Sequence, residues 1–386
     1  MRVFLPSVAS VLLVVSAVNA NPIEFQFEKR AQCAATLNTA LSVATTLQAH
    51  YFDTSTGQYN GGSLWTDANT LEDLHNLMLA TGTDQFGAVA DQSFIGRSAQ
   101  DSSTANWQNI LGGSNDDAQW VIMALWKIAD YKIARGLDAT AYLNSALTIY
   151  KIIEGQWDSV CGGGVWWSTA HTYKNTITNA LFLLVSATGA INYPTQAPYL
   201  ANAEKAATWL LNSGLRNSQG LWNDGLTQDG TCVNNGQTTW TYNQGVPASG
   251  MAALYAANGD SSLLTQAQIT LDATISRLTV NNILKESCDN AASGGSVCDA
   301  DQQIFKGIWT KSMQFFLDRA NSASLNSKYS SFLGSQSSAV FHYGTDANND
   351  VGSVWYAPNA GGSIFTPKTS ASGLEAHIAA AKYGPC

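Results

Sequence analysis

Two adjacent aspartates, Asp116 and Asp117, are the residues of this sequence best suited to catalysis. They follow Gly112-Gly113 and stand in the first turn of a predicted helix. Cleavage of a glycosidic bond needs two carboxyl groups, about 5–5.5 Å apart in retaining enzymes and about 6.5–9.5 Å apart in inverting ones. Because neighbouring Cα atoms are about 3.8 Å apart, adjacent aspartates can reach the shorter separation. The pair therefore fits retaining chemistry.

Two carboxyl groups this close should also differ in protonation. Like charges in one cleft cannot both ionise easily, so one group stays ionised while the other keeps its proton. That division supplies the nucleophile and the acid that retention requires. The alternative is a structural role, in which the two acids only complement the positive end of the helix dipole.

Polar and aromatic side chains recur near the predicted helix starts, where a groove for sugars would run. Asn, Gln, Tyr and Lys can bind sugar hydroxyls through hydrogen bonds, and Trp can stack on the flat C–H face of a sugar ring. Each could instead be a cap, turn or core residue. The candidates for substrate binding are Trp65, Asn69, Tyr173, Asn175, Trp222, Trp240, Tyr242, Asn243, Gln244 and Lys306, with Asp224 in the loop of Trp222.

Twelve tryptophans are more than the packing of a chain this size requires. Those beside glycines and polar residues are expected in a groove, and those within apolar helical patterns are expected in the core. The expected groove and loop tryptophans are Trp65, Trp107, Trp166, Trp167, Trp222 and Trp240, and the expected core tryptophans are Trp120 and Trp126.

The elements that would position these residues are helices. Apolar residues recur at helical spacing in twelve segments, and glycines such as Gly82 and Gly259 fall where helix ends are expected. The segments are 34–52, 66–81, 85–99, 116–135, 138–155, 175–189, 196–213, 243–257, 261–284, 301–320, 323–337 and 371–383. Period-two patterns are scarce, and 165–168 and 354–357 could at most form short hairpin pieces. The sequence therefore predicts an all-α fold.

Twelve successive helices can be taken as six hairpins, which must bury their apolar stripes against one another. Six hairpins closed into a ring form an (α/α)6 toroid, or barrel, in which one set of helix ends shares a common face. An open helical solenoid is the alternative.

The composition narrows the range of partners. Only 12% of the 386 residues are charged, and the formal net charge is -9. No basic stripe or cluster appears, which argues against nucleic acid as a partner. From residue 31 onward the composition is even, which predicts a single catalytic domain over residues 31–386.

The first thirty residues predict secretion. Arg2, an apolar run over residues 11–17 that is too short to span a bilayer, and Val18-Asn19-Ala20 form the pattern of a signal peptide over residues 1–20. Residues 21–30 would be a propeptide ending in a dibasic site, Lys29-Arg30. A buried N-terminal helix is the alternative. No apolar tail stands at the C-terminus, so we expect an extracellular protein without a membrane span or lipid anchor.

Six cysteines would remain after processing, an even number that favours disulfides. Six cysteines allow about fifteen full pairings, so any one scheme is a hypothesis. The scheme that suits the toroid joins Cys33 to Cys386, Cys161 to Cys232, and Cys288 to Cys298. No CxxC pair or histidine spacing indicates a zinc site, and neither a metal nor another cofactor is expected. Nothing suggests more than a monomer.

Four runs together resemble glycoside hydrolase family 76. They are Asn115-Asp116-Asp117-Ala118-Gln119-Trp120, Tyr173-Lys174-Asn175, Trp240-Thr241-Tyr242-Asn243-Gln244-Gly245 and Phe305-Lys306-Gly307. The resemblance extends from about residue 34 to the last helix. It implies an (α/α)6 barrel and retaining endo-hydrolysis of α-1,6-mannosidic linkages in mannan or cell-wall mannose glycans. It also implies Asp116 as nucleophile, Asp117 as general acid/base, and Asp224 as an acidic residue lining the sugar subsites.

Other functions fit parts of the same pattern. A cell-wall transglycosidase acting on mannose-containing anchor glycans would use the same two aspartates, because transfer and hydrolysis share their first half-reaction. A non-catalytic sugar-binding protein would not need the intact Asp116-Asp117 pair. A helical-repeat interaction protein would give no reason for the aromatic loops.

Overall fold

The protein is described here by a computed structural model that covers residues 32–194, 198–289, 298–357 and 363–386. The expected signal peptide and propeptide, residues 1–30, lie outside the described residues. The helices of the described part are α1 (Ala34–Tyr51), α2 (Leu64–Thr81), α3 (Val89–Gln92), α4 (Phe94–Ser98), α5 (Thr104–Leu111), α6 (Asn115–Ala134), α7 (Thr140–Glu154), α8 (Thr176–Asn192), α9 (Tyr199–Asn212), α10 (Tyr242–Asn258), α11 (Ser262–Arg277), α12 (Phe305–Ala320), α13 (Ala323–Ala339) and α14 (Pro367–Tyr383). Two antiparallel hairpins pair β1 (Phe52–Asp53) with β2 (Gln58–Tyr59), and β3 (Thr279–Val280) with β4 (Ile283–Leu284).

Six helices form an inner ring. In chain order they are α2, α6, α8, α10, α12 and α14; each packs against the next, and α14 packs against α2. This last contact closes the ring, so the open solenoid is excluded. The predicted (α/α)6 barrel is confirmed.

The remaining helices lie outside the ring. Helices α7, α9 and α11 pack on α6, α8 and α10, while both α13 and α1 pack on α14. The three short helices α3, α4 and α5 take the sixth outer position, between α2 and α6 in the chain, and α5 also packs against α7.

The sixth outer position is where the sequence prediction is wrong. A single helix was expected over 85–99, but Ser93 is extended, with φ -64° and ψ 153°, and separates α3 from α4. Its side chain accepts a hydrogen bond from the Gly96 N–H and so caps α4. Helix α5, which contains Trp107, was not predicted.

Several helix boundaries and both strand predictions also differ, and α12 begins at Phe305, four residues after its predicted start. Helix α11 ends at Arg277 rather than at 284, because Asn281 and Asn282 have positive φ and form the turn between β3 and β4. Helix α14 begins at Pro367, four residues before the predicted start, where Thr366 and Thr369 form a capping box. Residues 165–168 contribute only isolated bridges, and 354–357 form no strand.

Inner and outer helices bury different fractions of their surface. Helix α8 buries every residue from 176 to 190, whereas α9 buries one face, in the pattern expected of an amphipathic helix. Side chains of the inner helices must therefore be small, apolar or paired. At Gly307 of α12 an added Cβ would lie 2.3 Å from the Ser372 Cα of α14, so this contact requires glycine.

Three disulfides link the chain: Cys33–Cys386, Cys161–Cys232 and Cys288–Cys298. These are the same three pairs that the sequence analysis gave as its hypothesis. The first joins the start of α1 to the residues after α14, the two helices that meet where the ring closes. None of the helices in the described ranges is both long and apolar enough to cross a bilayer.

Replacement of Cys33 and Cys386 by serine should lower the free energy of unfolding by about 2–5 kcal/mol. This loss should exceed that caused by the same double change at Cys288 and Cys298, because the first pair closes a separation of 353 residues and the second only 10. Urea unfolding without reductant measures both losses. A reversed order would contradict the idea that the first disulfide acts mainly on the unfolded chain.

Candidate functional site

A cavity of about 530 Å³ opens where inner helices begin. Residues at the N-terminal ends of α2, α6, α10 and α12 contribute to its wall. The lining residues are Ser63, Trp65, Ser114, Asp116, Asp117, Trp120, Trp167, Tyr173, Asn175, Asp224, Tyr242, Asp301 and Phe305. The positive ends of several helix dipoles thus face a space that contains four aspartates.

Asp116 lies half-buried in the first turn of α6 and accepts three hydrogen bonds. Its Oδ1 accepts from the Ser114 hydroxyl at 2.9 Å and from the Asp117 backbone N–H at 3.0 Å. Its Oδ2 accepts from the indole N–H of Trp167 at 2.9 Å. Burial raises the pKa of Asp116, and these donors oppose the rise because they stabilise the ionised form.

Asp117 differs from its neighbour in what surrounds its carboxyl group. Burial raises the pKa of Asp117, the negative charge of Asp116 raises it further, and Asp301 adds a smaller contribution. A hydrogen bond with Ser114 opposes the rise. The surroundings therefore favour a proton on Asp117 and ionisation of Asp116. These are the two forms that retaining hydrolysis needs.

Aromatic rings form one wall of the cavity. The ring of Tyr242 stacks on that of Phe305, with centroids 3.8 Å apart and planes 7° apart. Trp65 lies near both Phe305 and Trp120, at centroid distances of 6.4 and 6.1 Å. Its indole N–H donates to Asp301 Oδ1 at 3.1 Å, which fixes the ring at the cavity edge. Flat apolar faces next to carboxylates are a suitable surface for sugar rings.

Tyr173 and Asp224 form a polar cluster in the cavity wall, in addition to the Asp116-Asp117 pair. The Tyr173 hydroxyl donates to Asp224 Oδ2 at 2.5 Å and accepts from Asn235 Nδ2 at 2.9 Å. Asn243 is buried and donates to Asp224 Oδ1 at 3.3 Å, so it acts on the cavity through Asp224. Asn175 lines the cavity, but its side-chain oxygen caps α8 by accepting from the Thr178 N–H.

Trp222 and Gln244, both predicted to bind sugar, do not line the cavity. Trp222 is 0% exposed and belongs to the core. Gln244 is equally buried, and its amide accepts from the Trp222 N–H at 2.7 Å and donates to the carbonyl oxygens of Trp222 and Trp240. The hydrogen bonds of its amide thus hold the loop that contains Trp222 against the start of α10. The prediction of direct sugar contact is wrong for both residues.

Asn69 is also buried and was predicted in the wrong role. Its Nδ2 donates to the carbonyl oxygen of Trp65 at 3.0 Å, and its Oδ1 accepts from Lys311 Nζ at 2.9 Å. The Asn69 side chain therefore holds the backbone of the cavity residue Trp65 and does not line the cavity.

Lys306 is another predicted sugar ligand that the structure places elsewhere. Its ammonium is buried, forms an ion pair with Asp289 and donates to the Ser353 carbonyl oxygen at 2.7 Å. Cys288, Asp289 and Cys298 have ligand atoms within 4.8 Å of one another, but the two cysteines are joined in a disulfide and offer no thiolate.

The tryptophans divide differently from the prediction. Trp107 is fully buried in α5 and belongs to the core. Trp166 stacks on His171 and donates to Asp158, away from the lining residues. Trp240 is half-buried and packs against Phe305 without lining the cavity. Trp126 is buried in the core, as expected.

Several lining residues were not among the predicted site residues. Trp120 and Phe305 are large apolar residues in helical patterns, so no sequence signal separated them from the core. Ser63 and Ser114 directly precede α2 and α6, and Asp301 precedes the 3-10 helix Gln302–Ile304 that leads into α12. Position before an inner helix is the signal that could have found them. Trp167, 46% exposed, was expected in a groove and does line the cavity.

Sequence and structure comparisons with known proteins all point to one family. The sequence model of glycosyl hydrolase family 76 matches residues 36–383. Mannan endo-1,6-alpha-mannosidase DFG5 of Saccharomyces cerevisiae is 29% identical over 215 residues, which is 53% of this chain and 46% of that protein. DCW1 of Candida glabrata, which has the same activity in its name, is 30% identical over 215 residues with the same coverage. The matched region thus spans about half the length of these curated relatives.

Solved structures share the fold over most of both chains. One is an inactive variant of alpha-1,6-mannanase GH76A of a Salegentibacter species, with two consecutive aspartates changed to asparagine, in complex with alpha-1,6-mannotriose. It has a TM-score of 0.75 and 19% identity, and the match covers 90% of this chain and 99% of that chain. Dfg5 of Chaetomium thermophilum, in complex with glucosamine, has a TM-score of 0.72 and 19% identity, with 92% of each chain covered. Since the family match takes in nearly every residue from the first to the last helix, this chain belongs to glycosyl hydrolase family 76.

Proposed function

We propose that this protein is a retaining endo-hydrolase of α-1,6-linked mannose chains, with Asp116 as nucleophile and Asp117 as general acid/base. The observation that carries the proposal is the adjacent carboxyl pair at the start of α6, with donors on Asp116 and both burial and like charge raising the pKa of Asp117. The activity in the names of the curated relatives supports the choice of linkage.

The proposed reaction proceeds in two displacements. The ionised Asp116 carboxylate attacks the anomeric carbon of the mannose unit, and the bond to the leaving oxygen breaks as Asp117 transfers its proton to that oxygen. In the second step, Asp117, now ionised, removes a proton from water as the water attacks the same carbon. The bond to Asp116 breaks, and both residues return to their starting forms.

The cavity wall supports internal cleavage of a chain. Aromatic faces lie on α2, α6, α10 and α12, and polar groups follow on the Tyr173–Asp224 side. Aromatic stacking with hydrogen bonds at the edges suits a neutral polysaccharide. Four aspartates in the cavity would repel polyanions, so nucleic acid is not a proposed partner.

We propose residues 31–386 as the catalytic domain of a secreted protein, after removal of a signal peptide and propeptide. Three disulfides support an oxidising compartment. We also propose that the protein acts as a monomer, since both carboxyl groups and the aromatic wall of the cavity belong to one barrel.

Substitution within the pair tests the two roles. Asp116→Asn should abolish formation of the glycosyl-enzyme, because no carboxylate remains to attack. Asp117→Asn should slow turnover of α-1,6-mannan by about 10²–10⁴-fold but act better on a substrate with an activated leaving group, and azide should restore part of its second step. Mass spectrometry of trapped enzyme and initial rates measure these effects. Normal reaction of Asp116→Asn with an activated substrate would reverse the assignment.

The configuration and size of the products test retention and internal cleavage. Two inversions at one carbon should give an α product, which proton NMR can detect before mutarotation. Short oligosaccharides should appear early, as chromatography of the digest would show. A β-anomer as first product would exclude the proposed mechanism, and release of mannose alone would exclude the open groove. Products longer than the starting oligosaccharide would indicate transfer to another sugar.

The pH profile should be bell-shaped, because activity needs Asp116 ionised and Asp117 protonated. Activity is lost as pH falls through the lower apparent pKa of the pair and again as pH rises through the higher one. Since burial raises both pKa values, the optimum should lie above the ordinary range of aspartate.

Trp167→Phe should move the acidic limb of this profile to higher pH, because ionised Asp116 loses an indole donor. Loss of one hydrogen bond to a charged group costs about 1.5 kcal/mol, which corresponds to a shift of about one pH unit in the acidic limb. Trp166→Phe is the matched control, since the indole of Trp166 donates to Asp158 at 2.6 Å. An unmoved acidic limb in Trp167→Phe would show that this donor does not set the ionisation of Asp116.

A further inference from the structure

The stacked rings of Tyr242 and Phe305 form the aromatic platform of the cavity, and each is the first residue of an inner helix. Helix starts are usually held by a capping side chain. Neither α10 nor α12 has one, because Thr241 and Ile304 at the two N-cap positions make no side-chain cap hydrogen bond. The start of α10 therefore lacks a side-chain cap, and α12 continues directly from the 3-10 helix Gln302–Ile304.

Glu286 fixes the start of α10. It is 2% exposed, and its Oε1 accepts the backbone N–H of Thr241 at 3.0 Å as well as the Thr241 hydroxyl. Thr241 directly precedes Tyr242, so the carboxyl group of Glu286 holds the backbone from which that ring projects. Burial raises the pKa of Glu286 to about 7, so the carboxyl group is mostly neutral below that pH, where the neutral amide of glutamine preserves its charge.

Asp289 fixes the start of α12 from the same turn. Its buried carboxylate pairs with Lys306, which directly follows Phe305, and its Oδ2 accepts the Glu286 N–H at 3.0 Å. The hydroxyl of Tyr356 donates to the Asp289 carbonyl oxygen at 2.6 Å and holds the turn from its other side. The turn 286–289 thus contacts Thr241, the residue before Tyr242, and Lys306, the residue after Phe305.

We propose that Glu286 and Asp289 are positioning residues that set the orientation of the Tyr242–Phe305 platform for a bound mannose chain. The inference rests on the proposed function, in which this cavity binds the chain. Contact of a ring with a sugar face depends on separations of about 3.5–4 Å and weakens when the ring moves by 0.5–1 Å. A loosened turn should therefore weaken substrate binding without disturbing the Asp116-Asp117 pair on α6.

Kinetics of Glu286→Ala test this role. The change should raise KM for α-1,6-mannooligosaccharides by about three- to tenfold, which corresponds to the loss of one aromatic contact, with kcat nearly constant. Glu286→Gln should restore the wild-type KM, because the amide oxygen can still accept from Thr241. If Glu286 acts through the ring, Glu286→Ala with Tyr242→Ala should have the KM of Tyr242→Ala alone. Additive effects in this cycle would overturn the proposal.

Gln336→Ala is the matched control for loss of a buried anchor. Gln336 is also buried and accepts the backbone N–H of Leu284 at 2.9 Å, two residues before Glu286, but its other side-chain hydrogen bonds go to Asn282 and Phe332. It should lower thermal stability without raising KM. An equal rise of KM in this control would show that general loosening explains the effect.

A measurement without substrate separates this inference from the proposed function. With fluorotyrosine in place of tyrosine, the ¹⁹F resonance of residue 242, assigned through Tyr242→Phe, should shift or broaden in Glu286→Ala and not in Glu286→Gln or Gln336→Ala. An unchanged resonance in Glu286→Ala would overturn the positioning role even if mannan is cleaved. Failure of the wild type to cleave α-1,6-mannan, with the expected resonance changes, would overturn the function and the platform's role in binding but confirm that Glu286 orients the ring.

Discussion

The closed ring depends on the ion pairs that the buried ammonium group of Lys311 forms with carboxyl groups of another inner helix. The Lys311 side chain, 3% exposed, extends from α12 to Glu72 and Asp73 of α2 at 2.9 and 2.7 Å. Glu375 of α14 belongs to the same cluster, and burial together with the charge of Asp73 raises its pKa well above the usual range. One cation with three carboxyl groups is tolerable in a core only if a carboxyl keeps its proton. The cluster joins three inner helices where the last meets the first, and Asn69 connects it to Trp65 at the cavity.

Ring closure also determines the electrostatics of the cavity. Residues at the starts of several inner helices face one space, so their unpaired N–H groups and dipoles favour negative charge there. Burial acts against negative charge in the same place. At Asp116 the donors Ser114 and Trp167 oppose the effect of burial, while at Asp117 the charge of its neighbour adds to it. Two identical residues thus acquire different chemistry from their surroundings alone.

The sequence could predict the ring because helical periodicity is a local property of the chain. It could predict the aspartate pair because the separation of adjacent residues is covalent. It could not assign Asn69, Gln244 or Lys306, because an inner helix is buried on every side. A polar residue at its start can face the cavity or a neighbouring helix, and only the packing of the ring decides between them. The same ambiguity concealed Trp120 and Phe305, whose apolar rings suit either position.

The run from Trp240 to Gly245 is one of the four runs that resemble the family, and its residues have different roles in the structure. Tyr242 is the residue that lines the cavity. Thr241 binds Glu286, Asn243 binds Asp224, and Gln244 holds the Trp222 backbone. Gly245 lets α12 approach, since an added Cβ would lie 3.0 Å from the Trp309 Cα. This run is therefore one cavity residue together with groups that fix the backbone around it. The predicted sugar ligands that proved to be buried belong to this supporting set, which explains why they stand beside cavity residues without touching the cavity.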